Sequence, residues 1–357
     1  FTIKEREYTR MVIQRSHIYF PLFEKYIEKY QLPDEIKFLA IIESGLVPNA
    51  RSRVGAVGLW QFMPTTGRAY KLHQDWYIDE RMDPDKATEA ACIYLKQLYG
   101  MFGDWELALA AYNCGPGNVR KAIRRSGNKK SFWEVYNYLP RETRSYVPQL
   151  TAMVYVMNYL PEHNLYEEAE EYILASDTIH VSQYLHLKTL AEQIGLCPDE
   201  LQGLNPAIRR GAIPDKVKKY PLRIPVEKYD QVVDNRLALF EAAGSVGKKE
   251  LDYLARNSIG STYGRDKVVY KVRRGDVLGK IARKYRVRVA DLRKWNNIRG
   301  NMIRIGQRLS IWVNPSAAPR YGQVASNRSK KPVTENINGK KYHYVQPGDT
   351  LWDIAKK

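Results

Sequence analysis

Ile41-Ile42-Glu43-Ser44-Gly45-Leu46 closes an apolar helical pattern with a carboxylate set beside a glycine. The helix begins near Leu32-Pro33-Asp34-Glu35: proline is tolerated in a first turn, and acidic residues there meet the positive end of the helix dipole. Ile36, Leu39, Ala40 and Ile42 keep an apolar stripe at helical spacing, and Gly45 reads as the stop. Glu43 then lies in the last turn, with Leu39 and Ala40 one turn below it on the same face. Apolar neighbours and the negative end of the dipole both disfavour its ionised form. Both raise its pKa, which suits a general acid. Taken alone, a glutamate at a helix end is more often solvated and inert, so the rest of the chain must decide.

A chain of 357 residues implies two or three domains. Its hydrophobic content of 44% and its 26 tyrosines mark it as globular. No apolar run is long enough to span a membrane. The chain opens at Phe1 with neither a basic-then-apolar signal segment nor an N-terminal cysteine for lipid. A peripheral or lipid-anchored membrane association therefore stays open only through an N-terminal element absent from this stretch. Cys92, Cys114 and Cys197 have neither metal-ligand nor redox spacing. Cys92 falls in an apolar helical pattern, and a Cys92–Cys114 bridge is compatible with an oxidising compartment without being required. No metal or cofactor site is expected. The formal net charge of +18 is lopsided, since residues 265–357 carry 23 Lys and Arg against 6 Asp and Glu. That region should seek an anionic polymer or surface: nucleic acid, acidic lipid and acidic cell-wall polymers all qualify on charge.

Up to about residue 165 the pattern is helical. Residues 2–30 read as a helix interrupted near Pro21. Residues 46–67, with Gly55, Gly58 and Pro64, read as a long ordered loop of the kind that carries function on a rigid scaffold. Asp83 caps a helix that has Pro84 at its first position, and Asp104 caps another that Gly115-Pro116-Gly117 stops. Helices follow at about 117–125, 131–138 and 141–159. Short strand-like runs, Thr178 to Val181 and Leu222 to Pro225, flank two helical patterns. Residues 236–265 and 314–340 read as linkers. Residues 268–313 repeat a strand-helix-helix-strand order.

An internal repeat underlies that order. Val272-Arg273-Arg274-Gly275-Asp276-Val277-Leu278 recurs as Val345-Gln346-Pro347-Gly348-Asp349-Thr350-Leu351, 73 residues on. A weaker copy lies 91 residues upstream, where Leu187, Leu190, Ala191, Leu196, Leu201 and Asn205 match Leu278, Ile281, Ala282, Val287, Leu292 and Asn296. The upstream copy lacks the Gly-Asp-x-Leu opening and has His180-Val181-Ser182-Gln183-Tyr184-Leu185-His186-Leu187 instead; its fold reads as intact, its ligand binding is in doubt, and bracing the preceding helical domain is the alternative role. The copy at 342–357 is too short to bury a core and is expected to fray.

Four ordered blocks now stand on the chain. They are Glu43-Ser44-Gly45, Gly55-Ala56-Val57-Gly58-Leu59-Trp60-Gln61-Phe62-Met63-Pro64, Ala110-Ala111-Tyr112-Asn113-Cys114-Gly115-Pro116-Gly117 and Leu139-Pro140-Arg141-Glu142-Thr143-Arg144-Ser145-Tyr146-Val147. Together they resemble the soluble lytic transglycosylase-like domain of the lytic murein transglycosylases. Asp79-Glu80-Arg81-Met82-Asp83-Pro84 and the Trp60 variant of the glycine block are similar to the membrane-bound lytic murein transglycosylase D branch. The repeated unit resembles LysM modules. Several ordered blocks are far more specific than one. The resemblance implies a multidomain chain: a mostly α, lysozyme-like catalytic domain over 1–165, followed by small α+β LysM modules. These are a diverged one at 175–230, a complete one at 268–313 and a truncated one at 342–357.

The activity implied is non-hydrolytic cleavage of the β-1,4 bond between N-acetylmuramic acid and N-acetylglucosamine in peptidoglycan glycan strands, leaving 1,6-anhydro ends. Such work belongs in the bacterial cell envelope. Glu43 matches the acid/base, and Ser44, Ser52, Gln61, Phe62, Met63, Tyr112, Asn113 and Tyr146 match substrate-binding positions. In the complete module, Gly275, Asp276, Val277, Leu278, Asn297, Ile298 and Arg299 match the glycan groove. Tyr112 and Ser44 are candidates to hold Glu43 or the substrate's acetamido group. Phe62 and Met63 could equally be packing, and Asn113 a helix C-terminus. A hydrolase would need a second carboxylate. Asp79, Glu80 and Asp83 read better as caps and ion pairs under the groove, and Glu142 as a helix start. A muramidase and a catalytically dead wall-binding scaffold are the competing readings. The basic modules form no nucleic-acid motif, so anionic wall polymers are the better partner for their charge.

Overall fold

The computed structural model of the protein describes residues 3–165, 175–315, 334–337 and 340–343. Two units divide the chain, Phe1–Ala255 and Arg256–Lys357.

The first unit opens with a helical domain: α1 (Arg6–Tyr30), α2 (Leu39–Ser44), α3 (Pro64–Ala69), α4 (Pro84–Phe102), α5 (Trp105–Cys114), α6 (Pro116–Arg125), α7 (Phe132–Val135) and α8 (Arg141–Asn158). The expected break at Pro21 does not occur. Pro21 lies inside α1 on its exposed side, where the carbonyl left without an N–H partner can take water. The single helix expected from residue 32 onward is instead a 3-10 turn (Asp34–Phe38) leading into α2. Gly45 does stop α2, with φ +61° and its N–H on the Ile41 carbonyl. A Cβ there would lie 2.6 Å from the Tyr8 hydroxyl oxygen, a contact to which the Tyr8 side chain would have to yield, and the left-handed backbone is what favours glycine. The side chains of Asp83 and Asp104 accept from the N–H groups of Lys86 and Leu107, as their positions predict for N-caps.

The core gathers α1, α4, α5 and α8 around the buried ring of Trp60. Its indole N–H donates to Thr88 Oγ1 at 2.9 Å, so the largest buried side chain leaves no orphaned donor. Ala108, Ala110 and Ala111 are fully buried, and their small side chains let α5 approach its neighbours closely.

A small module follows in the same unit. β1 (Ser176–Val181) pairs antiparallel with β4 (Tyr220–Pro225), and β2 (Leu185–His186) with β3 (Ala212–Ile213). Between them lie α9 (Leu187–Gln193) and α10 (Pro198–Leu204). Residues 236–265 are not the extended linker their composition suggested. After α11 (Val226–Asp234) come α12 (Arg236–Ala243) and α13 (Lys248–Asn257), and Leu239, Phe240 and Ala243 are buried. Leu237, Tyr253 and Leu254 on the same helices stay exposed, so only part of the apolar content is packed and the stretch shows no strong periodicity in sequence.

In the second unit β5 (Asp266–Lys271) pairs antiparallel with β6 (Arg308–Val313) across α14 (Leu278–Tyr285) and α15 (Val289–Asn296). Residues 257–261 also belong to this fold: the Gly260 N–H donates to Asp291 Oδ1 at 2.7 Å, and Trp295 Nε1 donates to the Gly260 carbonyl at 3.0 Å. One device marks the repeat in three dimensions. Asn296 accepts from the Ser310 N–H at 2.7 Å and donates back to its carbonyl at 2.8 Å, tying the second helix to the closing strand. Asn205 does the same to Arg223, at 2.9 and 2.8 Å, in the upstream module. β7 (Thr334–Ile337), in the stretch assigned as the second linker, pairs antiparallel with β8 (Lys340–His343), which runs from the linker's last residue into the truncated copy. The rest of the truncated copy, residues 344–357, lies outside the described residues. All three cysteines are free, so the contemplated Cys92–Cys114 bridge is not formed. No helix among the described residues is long and apolar enough to cross a membrane.

Candidate active site

Glu43 stands at the end of α2, partly buried, and the loop of residues 50–62 is fastened beside it. Val57 and Phe62 exchange backbone hydrogen bonds at 3.1 and 3.2 Å, closing residues 58–61 into a tight turn. Gly58 has φ +89°, and a Cβ on it would fall 1.8 Å from the Arg81 carbonyl oxygen. Only glycine fits there. Gln61 takes a left-handed φ of +44°, which is strained for a residue with a Cβ. Its side-chain amide offsets this by donating to the carbonyls of Gly58 (2.8 Å) and Ala50 (3.3 Å).

Three side chains pin the loop through its carbonyls. Ser44 Oγ donates to Leu59 at 2.9 Å, and the Tyr112 hydroxyl donates to Trp60 at 2.7 Å. From beneath, Arg81 Nη1 donates to Phe62 at 2.9 Å and to Gly55 at 3.0 Å. Arg81 is itself buried and forms a bidentate pair with the equally buried Asp79, at 2.9 and 2.8 Å. The expectation that Ser44 or Tyr112 holds Glu43 is therefore replaced. The Tyr112 hydroxyl is committed to the loop backbone, the Ser44 hydroxyl is shared between Leu59 and the Ala40 carbonyl of its own helix at 3.0 Å, and it is Tyr146, from α8, that donates to Glu43 Oε1.

Burial pushes the Glu43 carboxyl up to about 7, and the Tyr146 hydrogen bond, which favours the ionised form, opposes that rise. Burial, followed by the charge of Glu43, holds the hydroxyls of Tyr112 and Tyr146 well above their ordinary range. Both therefore remain protonated donors. Of the other acids in the sequence motifs, Glu80 and Asp83 have partners of their own. Glu80 pairs with Lys86 at 2.5 Å and accepts from the His73 N–H at 2.7 Å. Asp83 caps α4 and pairs with Arg223 at 3.2 Å. Glu142 is exposed in the first turn of α8, one turn before Tyr146.

The remaining candidates separate clearly. Ser52 closes the turn to Ala56, its Oγ accepting from the Ala56 N–H at 2.9 Å. Asn113 is exposed at the end of α5 and accepts from Thr143 Oγ1 at 2.8 Å. Met63 is 40% exposed, whereas Phe62 is only 2% exposed and packs rather than lines a surface. Sequence reasoning missed an aromatic ring-of-rings. Phe62, Tyr70, Tyr94 and Tyr112 contact one another in a closed circuit with centroids 5.1 to 6.4 Å apart. Tyr94 had the helical spacing of a core residue, and Tyr70 lay outside every motif, so no local signal joined them.

In the second unit Gly275 has φ +84° with open space at its Cβ position. Asp276 is occupied by the fold. It accepts from Tyr270 Oη and the Arg273 N–H, both at 2.7 Å, and these bonds keep its carboxyl below the usual range. Leu278 is buried in the module core and Ile298 packs against it. Neither Leu278 nor the Asp276 carboxylate is free to line a groove. Val277, Asn297 and Arg299 are exposed. Among the described residues no group of three or more His, Cys, Asp or Glu is arranged to hold a metal ion.

The family described as Transglycosylase SLT domain matches residues 21–134. The LysM domain family matches residues 270–312 and 343–357. The LysM-like domain of lytic transglycosylase MltD matches residues 175–239. The membrane-bound lytic murein transglycosylase D of Escherichia coli (strain K12) is 30% identical over 359 aligned residues, covering 99% of this chain and 74% of that protein. The soluble lytic murein transglycosylase of the same strain is 30% identical over 141 residues, 38% of this chain and 22% of that protein. The crystal structure of the 70 kDa soluble lytic transglycosylase from Escherichia coli aligns with a TM-score of 0.35 and 28% identity, over 43% of this chain and 27% of that one. With a relative at this identity aligned along nearly its whole length, and with separate family matches on its helical domain and both modules, the chain belongs to the family of membrane-bound lytic murein transglycosylase D.

Proposed function

We propose that the protein is a peptidoglycan lytic transglycosylase whose single acid/base is Glu43 and whose products end in 1,6-anhydromuramic acid. The observation that carries this reading is a carboxyl with its pKa raised to about 7, held by a tyrosine, while Asp79, Glu80 and Asp83 are engaged in ion pairs. At neutral pH a large fraction of Glu43 keeps its proton and can donate it to the leaving glycosidic oxygen. As the bond from that oxygen to C1 of the muramic residue breaks, the sugar's own N-acetyl group stabilises the anomeric carbon. The C6 hydroxyl oxygen then bonds to C1, and its proton passes to the Glu43 carboxylate. One residue acts as acid and then as base, the proton count closes, and no water is consumed. Tyr146 steadies the carboxylate in its ionised phase.

The working division of the chain is a catalytic domain over 1–165, a LysM-like module over 175–230 and a LysM module over 268–313. Anchoring to the glycan falls to the last, helped by its basic surroundings, which attract anionic wall polymers. Tethering a modest-affinity module to an enzyme raises its local concentration at an insoluble substrate. The cell envelope is where such a substrate lies.

Mass spectrometry of muropeptides released from purified sacculi tests the reaction. Anhydro-ended products are expected from the full chain, and a drop of at least about 1000-fold from Glu43→Gln, whose amide cannot pass a proton. Reducing ends would instead mark a hydrolase, with exposed Glu142 as the carboxylate to examine. Undiminished anhydro products from Glu43→Gln would remove Glu43 from the role.

A further inference from the structure

The upstream module is built onto the helical domain by the very loop that the repeat aligns with a glycan-groove segment. With the 91-residue offset, Asn297, Ile298 and Arg299 correspond to Pro206, Ala207 and Ile208. In this unit Ala207 and Ile208 are buried. Ile78 and Ile208 form an antiparallel bridge, the Asp79 N–H donates to the Ala207 carbonyl at 2.9 Å, and the Arg209 N–H donates to the Tyr77 carbonyl at 2.8 Å. Ala207 is buried in a cluster with Met82 and with Val57 of the loop beside Glu43. The other half of the equivalent groove is closed too. Tyr184, at the place of Gly275, is buried and donates to the Val246 carbonyl at 2.8 Å, and Leu185, at the place of Asp276, pairs with Ile213.

A second contact lies alongside. Arg223, on β4, reaches Asp83 at 3.2 Å and Asp85 at 2.5 Å in the first turn of α4. Burial works against its charge, but the two carboxylates more than compensate. Asn205, the module's helix-to-strand lock, holds the Arg223 backbone. Residues 77–83 thus have the module on one side. On the other they have Arg81, whose guanidinium carries the Phe62 and Gly55 carbonyls and whose own carbonyl abuts Gly58.

We infer that the upstream module is a positioning element of the active site: it uses the groove-equivalent loop of residues 206–209, with Arg223 beside it, to brace residues 77–83, and through Arg81 it sets the loop of residues 55–62 beside Glu43. It is then not a glycan anchor, and its charge contact through Arg223 acts on the rate of cleavage. An error of about 1 Å in such a support can cost up to about 100-fold in rate. The inference rests on the proposed function, because its readout is cleavage.

The test uses the full chain carrying Arg223→Gln, Arg223→Lys or Ala207→Asp, with thermal melts to establish folding. Soluble glycan fragments serve as substrate, and insoluble sacculi serve for cosedimentation. Arg223→Gln is expected to lower kcat about tenfold with KM held within about twofold. Its alkaline pH limb should move to lower pH, since a loosened loop admits water and relieves the burial that raises Glu43. Arg223→Lys, which keeps the charge between the two carboxylates, should recover most of the rate. Ala207→Asp, which drives a charge against Val57 and Met82, should reproduce the kcat loss. Sedimentation with sacculi should stay as in the parent chain for all three. Amide exchange at Val57 and Phe62 gives a reading independent of turnover, and faster exchange in Arg223→Gln is expected. Parent-like kcat, pH limb and exchange in folded variants would overturn the inference. So would loss of sedimentation with cleavage intact, which would make the module a glycan binder. A parent chain that releases no anhydro products would instead sink the functional reading.

Discussion

Glu43 and Tyr146 come from positions 103 residues apart, and their hydrogen bond sets the ionisation on which the proposed chemistry depends. The sign of its effect can be worked out. Glu43 must begin protonated, so cleavage should fall as pH rises through its pKa of about 7. Tyr146 donates to the carboxylate and lowers that pKa against a larger upward push from burial. Tyr146→Phe should therefore move the alkaline limb of kcat/KM to higher pH, while kcat falls by about tenfold as the ionised phase loses its donor. A limb that moves down, or stays, would mean that the hydroxyl serves another group. The two other residues proposed for this task, Ser44 and Tyr112, show why residue type alone was not enough. Each has a hydroxyl within reach of the site, and each hydroxyl is taken by a backbone carbonyl. A buried carbonyl left unpaired costs about 1–3 kcal/mol, so the loop claims these donors first.

At the level of elements, the decisive piece is the turn of residues 57–62, a short irregular segment on helical supports. Gly58→Ala places a methyl group 1.8 Å from a backbone oxygen in a left-handed conformation. The turn and the 77–83 segment cannot both stay where they are. A loss of about 2–4 kcal/mol is expected, seen as a lower melting temperature, with activity falling further because the displaced turn is the one beside Glu43. An equally stable and active Gly58→Ala protein would contradict this packing. Much at this scale was legible in the sequence. The caps at Asp83 and Asp104, the stop at Gly45 and the strand-helix-helix-strand repeat are local patterns, and each appears close to where its pattern put it. The helices over 236–257 were not legible, because their apolar residues find partners only in a module that precedes them in the chain. Pro21 was misread for a related reason. Whether a proline breaks a helix depends on which side faces water.

For the molecule as a whole, the charge is concentrated where the LysM family matches: 23 Lys and Arg against 6 Asp and Glu over residues 265–357. If that charge assists wall attachment, cosedimentation of the full chain with sacculi should weaken steadily as salt rises, since the Debye length shrinks from about 10 Å at 0.1 M to about 3 Å at 1 M. Cleavage of soluble fragments should respond far less. Salt-independent retention would assign attachment to neutral sugar contacts alone. The sequence by itself determined the family, the mostly helical domain with its small α+β modules, and the few residues among which an acid had to be sought. These are carried by spacing, caps and ordered motifs, which are properties of neighbouring residues. Tertiary structure alone decided which hydroxyl meets Glu43, which carboxylates are engaged, and that the upstream module packs its groove-equivalent loop of residues 206–209 against residues 77–79. A hydrogen-bond donor or a buried surface can be used only once, and which of several partners takes it depends on what folding brings within about 3 Å.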